Sequence, residues 1–413
     1  MFRFFHSADW QLGARFRQFG ARAERLRAAR LETLGRALGL AVERGVGAFL
    51  VAGDLFEDNQ VDDVLVESVV ALFAKHEAIE IYLLPGNHDP FTGPDSVWRR
   101  KAFADAPPNV HVLAEAGATK LAEGVWLLAS PLRQKVSTTD PSLELQRLAG
   151  EVPADAVKIG LTHGALAIEG KHQENDFPIA LDAASRAGLD YLGIGHWHNW
   201  LADTDGGRIV MPGTPEPDQF GQARSGQIAA VEIAGRGARA AVEPVEVASL
   251  KWREFEFDFL AADSSRTTLE LALAGLRADA AKTVLRVVLR GAATPQAVAE
   301  VRGWLGEESP KFLTAQVVDA TRVRLSAAEL GHLRERHPIL AQVLADMDQL
   351  ELLATGESAG GLPDGPSGAA EALSLAEAQG LLAGSKIELA ELDARFFGQL
   401  RQIAFQTLQE VAG

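Results

Sequence analysis

Five short blocks of this chain carry side chains that could share a pair of metal ions: Asp9-Trp10-Gln11, Gly53-Asp54, Gly86-Asn87-His88-Asp89, Thr162-His163-Gly164 and Gly195-His196-Trp197-His198. Taken singly each is weak, since Gly-Asp is a common turn and a lone histidine at a strand end is more often a hydrogen-bonded loop residue. Together they offer carboxylates, amides and imidazoles. That mixture suits Mn²⁺, Fe²⁺ or Zn²⁺ better than Ca²⁺ or Mg²⁺. Asp54 lies centrally in the order and could bridge two ions, as in sites that hold metals about 3.5–4 Å apart and act on phosphoryl groups. His196 and His198 are two residues apart, a spacing that on an extended chain puts both rings on one side.

The elements that must position these blocks follow from hydrophobic periodicity. Strands are expected at 2–7, 46–52 and 79–84, with helices at 21–44 and 61–76 between them. This β-α-β-α-β order predicts a parallel or mixed sheet covered by helices. Short strands at 125–130, 157–162, 189–194, 208–211 and 228–233, with helical pieces at 143–148 and 179–187, complete a two-sheet sandwich. Each chemical block falls at the carboxyl end of a predicted strand, where ligands gather in α/β sheets.

The organisation changes near residue 248. A strand at 255–259, a helix at 266–278, a strand at 283–289, a helix at 295–306 and a strand at 314–318 predict a small α+β unit over 249–324. From 325 to 413 the pattern is helical, interrupted by a Gly/Ser/Pro-rich linker over 356–370. Beyond it, Leu389, Leu392, Phe396, Phe397, Leu400 and Ile403 make a broad apolar face on a helix over 386–411. That helix either folds back on the chain or docks a partner.

The chain has 413 residues, long enough for two or three units. It has 56 acidic and 40 basic side chains and a formal net charge of −16, which disfavours strong unaided binding of nucleic acid. Bound cations would offset some of this locally. With no cysteine, neither a disulfide framework nor a thiolate zinc site exists. No signal-like stretch opens the chain and no apolar run approaches the roughly 20 residues of a membrane helix, so a soluble cytoplasmic protein is expected.

The five blocks in this order resemble the calcineurin-like metallophosphoesterase superfamily. Within it, His-Ser-Ala-Asp-Trp-Gln-Leu-Gly from residue 6, Gly-Asp-Leu-Phe-Glu-Asp-Asn from 53, Leu-Pro-Gly-Asn-His-Asp-Pro from 84 and Tyr-Leu-Gly-Ile-Gly-His-Trp-His from 191 resemble the SbcD/YhaO group of DNA-repair exonuclease subunits. These motifs cover about the first 215 residues, and beyond them only the layout matches. The resemblance implies a β-sandwich flanked by helices, a nuclease domain over 1–248, an α+β capping and DNA-recognition domain over 249–324, and two Mn²⁺ ions, or Mg²⁺, Fe²⁺ or Zn²⁺. It implies that Asp9, Gln11, Asp54 and His198 hold one ion and that Asp54, Asn87, His163 and His196 hold the other. His88 would not be a ligand but would protonate the leaving oxygen, its ring oriented by Asp89 or by a nearby backbone carbonyl. The implied partners are DNA and an SbcC/YhaN-like, SMC-type ATPase docked through the carboxy-terminal helices, with a homodimer formed through helices 21–44 and 61–76.

Gln11 departs from the family, whose first block usually reads Asp-x-His. The amide oxygen coordinates more weakly, or water completes that shell, or the first ion is lost. The first reading is preferred because every other position is intact. His6, three residues from Asp9, faces the opposite side of a strand and is a poor substitute.

Smaller signals have two readings each. Trp10, Trp98, Trp197 and Trp200 either stack on bases or pack around the cleft, and packing is preferred for Trp10, Trp98 and Trp197. Arg99, Arg100 and Lys101 either contact backbone phosphate or form a solvated face. Glu174-Asn175-Asp176 sits on an expected cleft loop and is not counted among the ligands. Two other functions compete with the nuclease. One is a phosphatase on a non-DNA ester, disfavoured because Gly53-Asp54 lacks the following Arg and His88 precedes Asp rather than Glu. The other is a catalytically weak or inactive scaffold for the ATPase, with Gln11 marking the decayed site.

Overall fold

The computed structural model describes residues 1–259 and 266–323, and positions 331, 332, 335, 336, 338 and 342. The expected linker at 356–370 and the helix at 386–411 lie outside the described residues, as does most of the helical region from 325.

Two six-stranded sheets and their covering helices make the first unit, which comprises Met1–Arg253, Asp279–Leu285 and Phe312–Thr314. In chain order the elements are β1 (Phe2–Ser7), α1 (Ala23–Glu43), β2 (Ala48–Ala52), α2 (Asp63–Ala74), β3 (Glu80–Leu84), α3 (Lys101–Ala104), β4 (Val110–Val112), β5 (Gly117–Ala122) and β6 (Val125–Ser130). They continue with α4 (Ser142–Ala149), β7 (Val157–His163), α5 (Ala183–Arg186), β8 (Tyr191–Gly195), β9 (Leu201–Thr204), β10 (Ile209–Met211), β11 (Gln227–Ile233) and β12 (Ala241–Glu246). One sheet is ordered β12-β11-β1-β2-β3-β4 and the other β5-β6-β7-β8-β10-β9. In the first, β1, β2, β3 and β4 run parallel. In the second, β6, β7, β8 and β10 do.

Side-chain alternation sorts the core into layers. Phe4, Leu50 and Tyr82 from the first sheet meet Leu127, Ile159, Leu161 and Tyr191 from the second between the sheets. Phe5, Phe49, Val51 and Leu83, on the other face, pack under Leu34 and Leu38 of α1 and Val69 and Phe73 of α2. Leu128, Leu192 and Ile194 pack in the same way under Leu145 and Leu148 of α4 and Ala184 of α5. All five residues of β2 are buried because both its faces are covered, and a parallel strand so placed reads as a continuous apolar run rather than an alternating one. Helix α2 starts at Asp63, two residues later than expected, because Asp62 caps it by accepting from the Val64 N–H.

The four strands of this unit that periodicity missed, β4, β5, β9 and β12, are the edges of its two six-stranded sheets. They are short or largely solvated, and β12 carries Pro244, which a sheet tolerates at its edge.

Among the described residues, the second unit comprises 254–259, 266–278, 286–311 and 315–323. Its described elements derive from β13 (Lys251–Asp258), α6 (Arg266–Gly275), β14 (Thr283–Arg290), β15 (Ala292–Ala293), α7 (Pro295–Glu308), β16 (Thr314–Asp319) and β17 (Arg322–Val323). A three-stranded sheet is ordered β13-β14-β16. Thr294 caps α7 through the Ala297 N–H, with Pro295 following as its first residue. Helix α6 stops at Gly275, short of the expected 278, and a 3₁₀ turn over Arg277–Lys282 follows. No described helix is long and apolar enough to cross a membrane.

Candidate metal centre

Strands β1, β2, β3, β7 and β8 end in the loops that carry the chemical blocks, and backbone hydrogen bonds lace these loops together. Asp9 N–H donates to Gly53 O at 3.1 Å and Gln11 N–H to Asp54 O at 3.0 Å. His88 N–H donates to Asp54 Oδ1 at 2.9 Å. His196 N–H reaches both Asp9 carboxylate oxygens, at 2.9 and 3.0 Å. The turns that allow this are strained: Asp9, Gln11, Asp54 and His196 hold φ of 55°, 44°, 54° and 115°. Such conformations persist only when the surroundings over-determine them, and they cluster at functional sites.

Gly53 and Gly86 are required by close approach. A Cβ on Gly53, whose φ is +90°, would lie 2.2 Å from His163 Nδ1. One on Gly86 would lie 2.2 Å from Asp54 Oδ1.

Ligand atoms of Asp9, Asp54 and His163 lie within 4.8 Å of one another, all buried. His163 donates Nδ1–H to Ala52 O at 2.8 Å, which leaves the Nε2 lone pair 2.8 Å from Asn87 Oδ1 and 3.3 Å from Asp54 Oδ2. His196 presents Nδ1 to the same amide oxygen at 3.0 Å, while its Nε2 lies 2.9 Å from Asp176 Oδ2. Atoms of Asp54, Asn87, His163 and His196 that could ligate an ion therefore converge. The donor set fits a first-row divalent ion. Burial alone would lower His163, but the Asp54 carboxylate, backed by Asp9, pushes it up to about 9. Burial alone would raise Asp54, but His163 holds it well below the usual carboxylate range. Asp9 is raised by burial.

Gln11 is buried beside this cluster. Its Nε2 donates to Asp54 Oδ2 at 3.1 Å, and its Oε1 is buried without a hydrogen-bond partner. A buried amide oxygen with no donor is an open coordination position, which fits the reading of Gln11 as a ligand. His198 interacts electrostatically with Asp9 and is raised: burial opposes this, but the Asp218 hydrogen bond and the Asp9 charge outweigh it. Its Nδ1 lies 2.8 Å from Gln222 Nε2 and 3.4 Å from Asp218. The buried Arg30 guanidinium stands 3.7 Å behind Asp218.

The Gly-His-Trp-His run is not extended, contrary to the expectation from its spacing. The φ of His196 turns the chain, so His196 faces Asn87 and His163 whereas His198 faces Asp218 and Gln222. His88 is oriented by a backbone carbonyl, donating Nδ1–H to Glu57 O at 2.9 Å. Asp89 instead braces the loops, accepting from Gly86 N–H at 2.7 Å and Phe56 N–H at 3.0 Å. Burial, with the nearby Asp54 charge, pushes the Asp89 carboxyl up to about 7. Trp10 and Trp98 are core residues, and His6 is buried against Tyr191, with its Nδ1 2.8 Å from the hydroxyl.

Arg99, Arg100 and Lys101 do not form an open basic triplet. Arg100 is committed to Val61 O, Asn59 O and the Asp63 carboxylate, Lys101 pairs with Asp105, and Arg99 lies over Phe91 at 4.5 Å. Arg100 thus ties a loop to the start of α2, because acceptors surround it. Sequence reasoning missed Asp218 and Gln222 and passed over Asp176. Nothing in their spacing signals a role, since each reaches the centre only through the fold.

Residues 2–200 match the family model described as calcineurin-like phosphoesterase. Over this part, just under half of its length, the chain is similar to calcineurin-like phosphoesterases. Among solved structures, the protein TT1561 of Thermus thermophilus is similar at 12% identity and a TM-score of 0.41, over 59% of this chain and 98% of its own. A dimetal phosphatase from Danio rerio is similar at 13% identity and a TM-score of 0.38, over 60% and 99%. No curated protein matches the chain.

Proposed function

We propose that this chain is a two-metal DNA phosphodiesterase, the nuclease subunit of an SbcCD-like repair complex with an SMC-type ATPase. One observation carries the hydrolytic reading: four potential ligand side chains, Asp54 and His163 buried and Asn87 and His196 half-buried, converge next to a histidine whose Nδ1 is fixed. The motifs around Asp9, Asp54, His88 and His196 support DNA as the substrate.

Asp9, Gln11, Asp54 and His198 would hold one ion, and Asp54, Asn87, His163 and His196 the other. The ions, Mn²⁺ by preference, would supply charge neutralisation at the phosphoryl oxygens and a water nucleophile at neutral pH. His88 keeps its Nδ1 proton on the Glu57 carbonyl, so Nε2 is the atom that carries a proton to the leaving sugar oxygen. Its own backbone N–H on Asp54 fixes the loop from which the ring projects.

The test is end-labelled single- and double-stranded DNA incubated with the full chain, in Mn²⁺ or in EDTA, beside His88→Ala. Mn²⁺-dependent cleavage that the variant lacks is expected. Hydrolysis of a phosphomonoester such as p-nitrophenyl phosphate, with both DNA forms left intact with and without the ATPase, refutes the nuclease reading. The proposed ATPase contact and the homodimer are tested by co-purification and by solution mass.

A further inference from the structure

Resting on the metal-centre reading above, we infer that Asp176 is a positioning residue, whose carboxylate accepts the Nε2–H of His196 and keeps the Nδ1 lone pair turned toward Asn87 and His163. Three imidazoles surround the centre, and each has a partner at its outer nitrogen. For His163 that partner is the Ala52 carbonyl, at 2.8 Å. For His198 it is the Gln222 and Asp218 pair. For His196 it is the Asp176 carboxylate, at 2.9 Å. His196 has most need of it. Its Nδ1 lies 3.0 Å from Asn87 Oδ1, so the other tautomer would make a sound hydrogen bond there and cover the lone pair an ion requires. A carboxylate behind Nε2 biases the proton outward, the arrangement by which outer partners orient ligating histidines.

The loop that carries Asp176 is held by its backbone. Phe177 N–H donates to Ser137 O at 2.9 Å, Ser137 N–H to Asn175 O at 2.9 Å, and Ala165 N–H to Asp176 O at 3.1 Å. None of these bonds uses the Asp176 side chain, which is 32% exposed. Removing it therefore leaves the loop anchored.

The experiment uses the full chain with ¹⁵N-labelled histidine, stripped with EDTA, and long-range ¹H–¹⁵N correlation spectra, with the His196 signals assigned from their loss in His196→Gln. Mn²⁺ affinity is measured in parallel by calorimetry. Wild type is expected to hold His196 as the Nε2–H tautomer. Asp176→Ala is expected to shift it toward Nδ1–H and to weaken Mn²⁺ binding by about 10- to 100-fold. Asp176→Asn, whose amide oxygen still accepts, is expected to restore both, and Glu174→Ala on the same loop to change neither. If His196→Gln weakens Mn²⁺ binding while Asp176→Ala keeps the wild-type tautomer and affinity, the metal centre stands and the role of Asp176 falls. If wild type binds no Mn²⁺, the metal-centre reading itself falls and takes this role with it.

Discussion

Replacing Gln11 by Leu tests the metal centre at its most unusual position. Two effects oppose each other in the metal-free protein. The substitution removes a buried amide oxygen that has no partner, a gain of about 1–3 kcal/mol. It also removes the 3.1 Å hydrogen bond to the Asp54 carboxylate, a loss of about 1.5–3 kcal/mol. The metal-free variant should therefore unfold within about 1 kcal/mol of wild type, a shift of roughly 2–4 °C for a unit of this size. With Mn²⁺ at about 100 times its Kd, wild type gains about 2.7 kcal/mol. Losing one ligand that weakens the ion by about 10- to 100-fold cuts that gain to about 1.4 or 0.4 kcal/mol. Thermal unfolding in EDTA and in Mn²⁺ should then show a Mn²⁺-induced rise in melting temperature about 3–9 °C smaller in the variant than in wild type. Gln11→His should match or exceed the wild-type gain, because imidazole is the better ligand. Equal Mn²⁺-induced shifts in wild type and Gln11→Leu would refute the coordination of Gln11.

Other outcomes follow from the same geometry. His88→Gln should cost about 10²- to 10⁴-fold in hydrolysis while leaving Mn²⁺-induced stabilisation unchanged, because only its backbone touches Asp54; a lost thermal shift would make His88 a ligand. Gly53→Ala should push His163 off the Ala52 carbonyl, costing about 1–3 kcal/mol in urea unfolding and weakening Mn²⁺ binding; wild-type affinity would show that His163 is not held as described. His6 is buried and its pKa falls from 6.5 to about 3. The unfolded chain thus takes up the proton first, and stability drops as pH falls from about 6.5 toward about 3. By pH 5 this costs about 2 kcal/mol, so His6→Gln should show that much less acid sensitivity in denaturant titrations at pH 7.5 and pH 5.

The candidate blocks and the central strands were legible because each is set by local chemistry. Strands such as β2 are buried on both faces, so their apolar runs stand out. The edge strands β4, β5, β9 and β12 were not legible, because a strand with a solvated face or a two- or three-residue ladder leaves no clear period. The outer partners of the histidines were equally hidden. Asp218 and Gln222 lie about one turn of chain apart, yet their meaning comes from His198, which the fold brings to them.

By itself the sequence determined which groups could bind metal, their order along the chain, and that each follows a strand, because residue type and periodicity are local properties. Tertiary structure alone decided the rest. It turned His196 and His198 to different neighbours through one positive φ, gave the Glu57 carbonyl rather than Asp89 to His88, and spent Arg100 on loop carbonyls. It also placed Asp176 behind His196. Each of these depends on which distant backbone arrives beside the side chain, and that is fixed only when the two sheets pack and their strand ends meet.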